Sequence, residues 1–296
     1  MAELYQRDTG DIIQEKIFGS RAMHFTYETK LGRLFARLVL KRKWVSKLAA
    51  TYYKTRWSAK KIPDFIEQYG IEPSELSLPP TAYESFNAFF TRKLDRPCSS
   101  EPGALISPAD SRLLVHKICD YQVIGVKGCL YSIEELLQDK ERAEAFRSGL
   151  CLVFRLCPTD YHRFCFPDSG SWQHITKIKG NYNTVNTFFV SGRVHVSNYR
   201  ETSILHTDHF DEIAFVEVGA MLIGKIVQTA ACPGRFAKGQ EKGYFEYGAS
   251  TIVMLIKENC VQLAPDILEQ SLQGRECLVR RGEKIGENKA IPLQTV

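Results

Sequence analysis

An α+β fold, a helical N-terminal region on a mainly antiparallel β body, follows from three observations on this sequence. The first 70 residues place apolar side chains at helical spacing. From Leu105 onward the chain changes to short runs of branched and aromatic residues divided by Gly, Pro or Asp, the pattern of strands. Between the two, residues 72–82 hold Pro73, Pro79 and Pro80, as a connecting loop does. The boundary falls near residue 82, giving a helical region, 1–82, and a β-rich domain, 83–296.

In the first region, Leu31, Leu34, Phe35 and Leu38 recur at helical spacing with Arg33 and Arg37 between them. Trp44, Val45, Leu48 and Tyr52 continue the stripe past Lys41-Arg42-Lys43. From Arg21 to Lys61 there are twelve Lys and Arg against one acid, Glu28, a local charge of +11 in a chain whose net charge is +5. These are the properties of basic amphipathic helices lying on an anionic membrane surface. The bland alternative is a stripe docked on the rest of the protein with its charges solvated. No nucleic-acid motif accompanies the charge, so nucleic acid is not an expected partner.

Residues 86–94 read as a short helix ending before Arg96-Pro97. Strands are expected at 113–115, 151–156, 213–218, 221–227 and 251–256, and the clearest helix of the second region at 133–146. Residues 233–243, with three glycines, resemble the turn-and-strand pattern of lipoyl-like β barrels. At 296 residues the chain can bury a full core without staples. Its nine cysteines are odd in number and include no C-x-x-C pair, against a disulfide framework or a tetrathiolate zinc site and in favour of a reducing cytosol. His206 and His209 lack further ligands nearby, so no metal site is expected. The first twenty residues have no apolar core of signal-peptide length and no window approaches 18 uninterrupted apolar residues, so neither a standard secretion signal nor a membrane span is expected.

The segment from Lys242 to Val253 sets Gly248-Ala249-Ser250-Thr251 between a charged strand and an apolar one. A serine hydroxyl attacks the carbonyl before it only where the backbone bends sharply, and small residues permit that approach. A β-hairpin tip has the same composition. Three further segments bear on the choice: Ser107-Pro108-Ala109-Asp110-Ser111-Arg112-Leu113, Pro158-Thr159-Asp160-Tyr161-His162-Arg163-Phe164-Cys165-Phe166-Pro167, and Phe215-Val216-Glu217-Val218-Gly219-Ala220-Met221-Leu222-Ile223-Gly224. In this order, with Asn87-Ala88-Phe89-Phe90-Thr91-Arg92-Lys93-Leu94 upstream, they resemble the phosphatidylserine decarboxylase family, from about residue 3 to about residue 286.

The resemblance implies a pyruvoyl enzyme that makes its own cofactor. Ser250 Oγ would attack the Ala249 carbonyl, and the resulting ester would eliminate to dehydroalanine. Hydrolysis with loss of ammonia would then leave a pyruvoyl group. Residues 1–249 become the β chain and 250–296 the α chain. The pyruvoyl ketone would draw off the electrons released as CO₂ leaves a phospholipid substrate. Asp110 matches the family aspartate of an Asp-His relay that activates the serine. His162 matches a histidine associated with decarboxylation, where it protonates the carbanion or holds the carboxylate; the alternative for it is a satisfied internal histidine.

Two positions depart from the family pattern. Cys165 stands where the family has the relay histidine, and a thiol of ordinary pKa, ~8.5, is only a few per cent ionised at neutral pH. General-base assistance contributes about 10²- to 10⁴-fold, so slow or absent maturation is expected. Ala249 replaces the glycine before the cut, a mild restriction. Ser111 and Lys225 also differ from some members, without bearing on the chemistry. His24, His116, His174, His195, His206 and His209 read as packing or surface residues. The expected function is phosphatidylserine decarboxylation at the cytoplasmic face of the cell membrane by a peripheral protein, its oligomeric state left open. The competing reading is a homologue defective in processing that binds lipid or regulates.

Overall fold

The computed structural model describes residues 3–15, 51–71, 76–94, 96–124, 130–181, 193–220, 225–248 and 250–289, with residues 29, 30, 32 and 48 besides. Its centre is strand Ser250–Ile256, buried at every position and paired antiparallel with Glu212–Gly219 on one side and Leu150–Leu156 on the other. Successive side chains of a strand point to opposite faces. Phe154, Phe215, Ile252 and Met254 accordingly enter one core, while Val153, Val216, Val253 and Leu255 enter another. A strand covered on both faces has to be apolar throughout, which is why 251–256 reads as an unbroken hydrophobic run.

Around this centre runs an eleven-stranded sheet. Beyond Leu150–Leu156 come Ser111–Lys117 and Glu276–Val279, and beyond Glu212–Gly219 comes Arg200–Thr207. A separate three-stranded sheet joins Ile226–Gln228, Glu241–Phe245 and Arg163–Cys165, and another joins Val261–Leu263, Lys284–Asn288 and Ala104–Ile106. Among the described residues helices are few and short, so the α+β expectation with a mainly antiparallel β body is met.

Four expectations need correction. The first 70 residues are not helical from the start: Glu3–Gln6 and Asp11–Gln14 form an antiparallel hairpin, and the first of these extends the large sheet by pairing parallel with Glu276–Val279. Asp8, Thr9 and Gly10 make the turn, with Gly10 at φ +77°, a conformation that glycine enters without steric penalty. The helix expected over 133–146 is two, Ile133–Leu137 and Lys140–Glu144. Gln138 turns left-handed at φ +51°, and the Asp139 carboxylate accepts the Arg142 N–H at 3.0 Å to start the second. The strand expected at 221–227 is Ile226–Gln228, with residues 221–224 outside the described residues. Finally, the hairpin reading of 242–253 falls away, because Glu241–Phe245 and Ser250–Ile256 belong to different sheets.

Most of the basic stripe, 31–47, lies outside the described residues. Its described end is the 3-10 turn Arg56–Lys61 followed by helix Ile62–Tyr69, with Pro63 in the first turn and Gly70 closing the helix at φ +63°. Ile62 and Phe65 bury against Tyr83, Phe86, Phe89, Phe90 and Tyr247. This helix, which follows the stripe, docks on the body, whereas Leu48 and Tyr52 of the stripe itself are exposed.

Candidate active site

Ser250 opens the central strand, flanked by Gly219 and Leu156, and is wholly buried. Its Oγ has no hydrogen-bond partner among the described residues. A buried hydroxyl left unpaired costs about 1–3 kcal/mol, so its retention needs a reason. The approach to it is held tightly. The Tyr247 N–H donates to Asn87 Oδ1 at 3.1 Å, and the Tyr247 ring packs on Tyr53, Phe86 and Phe90 at centroid distances of 3.9, 5.3 and 5.2 Å. Gly248 then takes φ +142°, which side-chain-bearing residues rarely adopt. Ala249 lies outside the described residues.

His162 sits against the same turn. Its backbone carbonyl accepts the Phe245 N–H at 3.0 Å, and its ring stacks on Phe90 at 4.1 Å. Nδ1 lies 2.9 Å from the Asp160 carbonyl oxygen. A carbonyl only accepts, so Nδ1 carries the hydrogen and Nε2 the free lone pair. Nε2 has no well-formed hydrogen bond to any described residue, and the Gly248 backbone beside the ring favours its protonated form, a smaller effect than burial. Complete burial pulls the imidazole down to about 3, with the Arg92 charge acting in the same direction, so the ring is neutral across the physiological range. The Asp160 carboxylate in turn accepts the Cys157 N–H at 2.7 Å and binds the Arg112 guanidinium, which fixes the loop that carries His162.

Asp110 and Cys165 belong to a second cluster. Cys165, the poor stand-in for the relay histidine, makes no hydrogen bond with Asp110 among the described residues. Arg96 Nη1 donates to both Asp110 oxygens at 2.8 and 2.9 Å, and the Arg281 backbone N–H donates to Oδ1 at 2.7 Å. Asp110, Arg96 and Arg281 line a cavity of about 570 Å³ together with Arg7, Arg112 and Asp160. Cys165 is fully buried beside Ser107, its N–H donating to the Pro108 carbonyl at 2.9 Å. A hydrogen bond with Cys98 and burial push its thiol well above the ordinary range. The structure thus brings His162 and Ser250 to one turn and Asp110 and Cys165 to one arginine cluster. Sequence reasoning missed Asn87, Phe90, Arg96 and Arg281. The first two lie in or beside the matching upstream segment, whereas nothing local marks the arginines.

The sequence model of the family described as phosphatidylserine decarboxylase matches residues 86–287. The chain belongs to the phosphatidylserine decarboxylase family. A phosphatidylserine decarboxylase proenzyme of Clostridium botulinum (strain Alaska E43 / Type E3) is 40% identical over 292 residues, 97% of this chain and 99% of that one. The proenzyme of Clostridium novyi (strain NT) is 41% identical over 278 residues, 92% and 94% of the two chains. A phosphatidylserine decarboxylase proenzyme 2 of Clostridium acetobutylicum is 41% identical over 288 residues, 96% and 98%. In this family the prosthetic group is a pyruvoyl made from the chain itself, and the surroundings of Ser250 fit one. The buried Oγ–H has no acceptor among the described residues, so losing the hydroxyl and leaving a methyl group at Cβ gives up no hydrogen bond there. The ladder to Gly219 and Leu156 would hold the group, with His162 facing it across the Gly248 turn.

Proposed function

We propose that this chain is the precursor of a phosphatidylserine decarboxylase, cut between residues 249 and 250 and converting phosphatidylserine to phosphatidylethanolamine. The observation that carries the reading is the buried, unpaired Ser250 hydroxyl directly after a turn that only Gly248 adopts easily, with the His162 lone pair against that turn. His162 Nε2 takes the Ser250 proton during cleavage. Its low basicity makes the imidazolium costly, which accounts for a slow step rather than a forbidden one. Asp110 and Cys165 serve the scaffold: Asp110 fixes Arg96 and the Arg281 backbone, and Cys165 ties its strand to Pro108.

Once formed, the pyruvoyl group supplies a carbonyl that accepts the electrons released as CO₂ departs. His162 is the side chain beside the cleavage turn that would return a proton to the carbon that loses CO₂. Phe90 and Tyr247 keep water from that exchange. The membrane face is assigned to Leu48 and residues 51–61. Trp57 is 78% exposed, Leu48 61% and Tyr52 41%, beside Lys54, Arg56 and Lys60. Exposed aromatics among cations suit an anionic lipid surface. Tyr53, in the same segment, stacks on Tyr247 three residues before Ser250. No helix among the described residues is long and apolar enough to cross a membrane.

The test is the intact mass of the purified protein under denaturing conditions. Two fragments dividing at 249–250, the smaller with a blocked N-terminus, are expected, with phosphatidylserine converted by the cut form. Ser250→Ala should stay a single 33.7 kDa chain and be inactive. A wild-type chain that stays uncut after long incubation overturns the reading. It favours a lipid-binding homologue, for which the cysteine at position 165, where the family has its relay histidine, is the supporting observation.

A further inference from the structure

Cys98 lies two residues beyond Arg96, in a slot between two stretches of backbone. A Cβ built at Gly239 would fall 2.8 Å from its Sγ, and one at Gly282 only 2.6 Å, so both positions leave the sulfur just enough room as glycine. The Ser99 N–H donates to the Gly282 carbonyl at 2.9 Å, and the Gly239 N–H to the Phe166 carbonyl at 3.0 Å. The slot is thereby tied to the residue after Cys165, whose thiol donates to the Ser107 carbonyl at 3.9 Å and adjoins the Cys98 sulfur. Both cysteines are free thiols, Cys98 partly exposed and Cys165 wholly buried.

Arg281 faces both sulfurs. Its Nη2 donates to the Gly239 carbonyl at 2.8 Å, its Nε has no partner among the described residues, and Asp110 holds its backbone rather than its guanidinium. A cation without a carboxylate in hydrogen-bond contact, next to two thiols, favours a thiolate. The contact with Cys98, and then burial, hold the Cys165 thiol well above the ordinary range, so the negative charge settles on the more exposed sulfur. Cys98 is drawn down to about 6 by the Cys165 hydrogen bond and by Arg281, whereas burial pushes Cys151, Cys157 and Cys277 up to about 12.

We propose that Cys98 is a reactive thiol and Cys165 its resolving partner, together a site of reversible oxidation by low-molecular-weight disulfides. The Cys98 thiolate attacks one sulfur of the oxidant RSSR, its S–S bond breaks, a Cys98–S–S–R bond forms and RS⁻ leaves. Cys165 then gives up its proton and attacks the Cys98 sulfur, expelling the second RS⁻. The protein dithiol loses two electrons, and the oxidant gains them and ends as two RSH. Cys165 N–H holds Pro108, so the new bond fastens the Asp110 loop to the segment that carries Arg96. Both cysteines precede residue 249, so the link forms within one chain whether or not the precursor is cut, and the proposal stands apart from the decarboxylase reading.

The test treats the purified full chain with glutathione disulfide at pH 7, quenches with acid, and maps peptides under non-reducing conditions. Cys98 should react ahead of the other cysteines and appear joined to Cys165, with dithiothreitol reversing the bond. Cys165→Ser should stop at a mixed disulfide on Cys98, and Cys98→Ser should lose both products. Iodoacetamide alkylation of Cys98 should reach half its maximal rate near pH 6, where an ordinary thiol does so near ~8.5. A mixed disulfide on Cys98 that wild-type Cys165 fails to resolve, or another cysteine reacting first, overturns the proposal.

Discussion

Acidification should unfold this protein through two histidines that carry no charge in the native state. His162 and His195 are buried, and His195 Nδ1 has no partner among the described residues. Burial pulls the first down to about 3 and the second to about 4, against about 6.5 for an imidazole in the unfolded chain. Their contribution to stability is complete above pH 6.5 and declines as pH falls toward the folded values, because only the unfolded chain takes up the protons. Each histidine then removes about 1.4 kcal/mol per pH unit, or about 2 kcal/mol between pH 6.5 and 5, and the pair about 4. That is a large share of a typical total of about 5–15 kcal/mol. The assay is urea unfolding by circular dichroism at pH 7, 6 and 5, on Ser250→Ala so that one uncut chain is followed. His195→Phe keeps a ring against Tyr131, which it meets edge-on at 5.7 Å, and should remove about half of the pH-dependent loss. His162→Phe should remove the other half. Comparing variants cancels the opposing uptake of protons by Asp160 and Glu217, whose carboxyls burial shifts upward. An equal loss from pH 7 to 5 in wild type and in the double variant would refute the reasoning.

Lys242 and Glu217 form an ion pair with no exposed surface, the ammonium 4.4 Å from the Trp172 ring centre. Lys242→Met alone strands a buried carboxylate and should destabilise by about 3–5 kcal/mol, whereas Lys242→Met with Glu217→Gln should recover most of that in denaturant titrations; equal losses would exclude a coupled pair. Asn87→Ala leaves the Tyr247 N–H without its acceptor and loosens the turn before the cut, so self-cleavage followed on gels should slow about tenfold, equivalent to about 1.4 kcal/mol. An unchanged rate would remove Asn87 from the positioning of that turn.

The strands of the large sheet were legible because burial on both faces demands continuous apolar runs, as at 251–256, and such runs need no knowledge of the partner strand. The Glu3–Gln6 strand was not, since four residues carry little periodicity and its partner, Glu276–Val279, lies at the other end of the chain. The break at Gln138 was hidden in the same way, because its left-handed turn suits the packing of Leu136, Leu137 and Ala143 and leaves the apolar spacing nearly helical. At the site, Ser250 and His162 could be picked out from local motifs. The environment of Asp110 could not. Its carboxylate is taken by Arg96 and by a backbone N–H 171 residues away, and no local pattern announces a contact of that range.

The short helix Phe86–Phe90 explains why the upstream motif belongs with the chemistry although it holds no titratable residue within its span. Asn87 pins the strand entering the cleavage turn, Phe90 stacks on His162, and the carbonyl of Thr91, which caps the helix, accepts from Arg163 Nε at 2.8 Å. A single five-residue element thus sets the serine's approach and the imidazole's plane together, so neither can shift without the other. Its own N-terminus is held by Ser58, whose Oγ accepts the Phe86 N–H at 2.9 Å while donating within the 53–55 turn. Ser58 adjoins the exposed Trp57. The proposed membrane face is therefore linked to the cleavage turn through two side-chain hydrogen bonds, Ser58 to Phe86 and Asn87 to Tyr247, and a tie that short needs no mobile lid to transmit the orientation of a docked surface to the residues that act on its lipid.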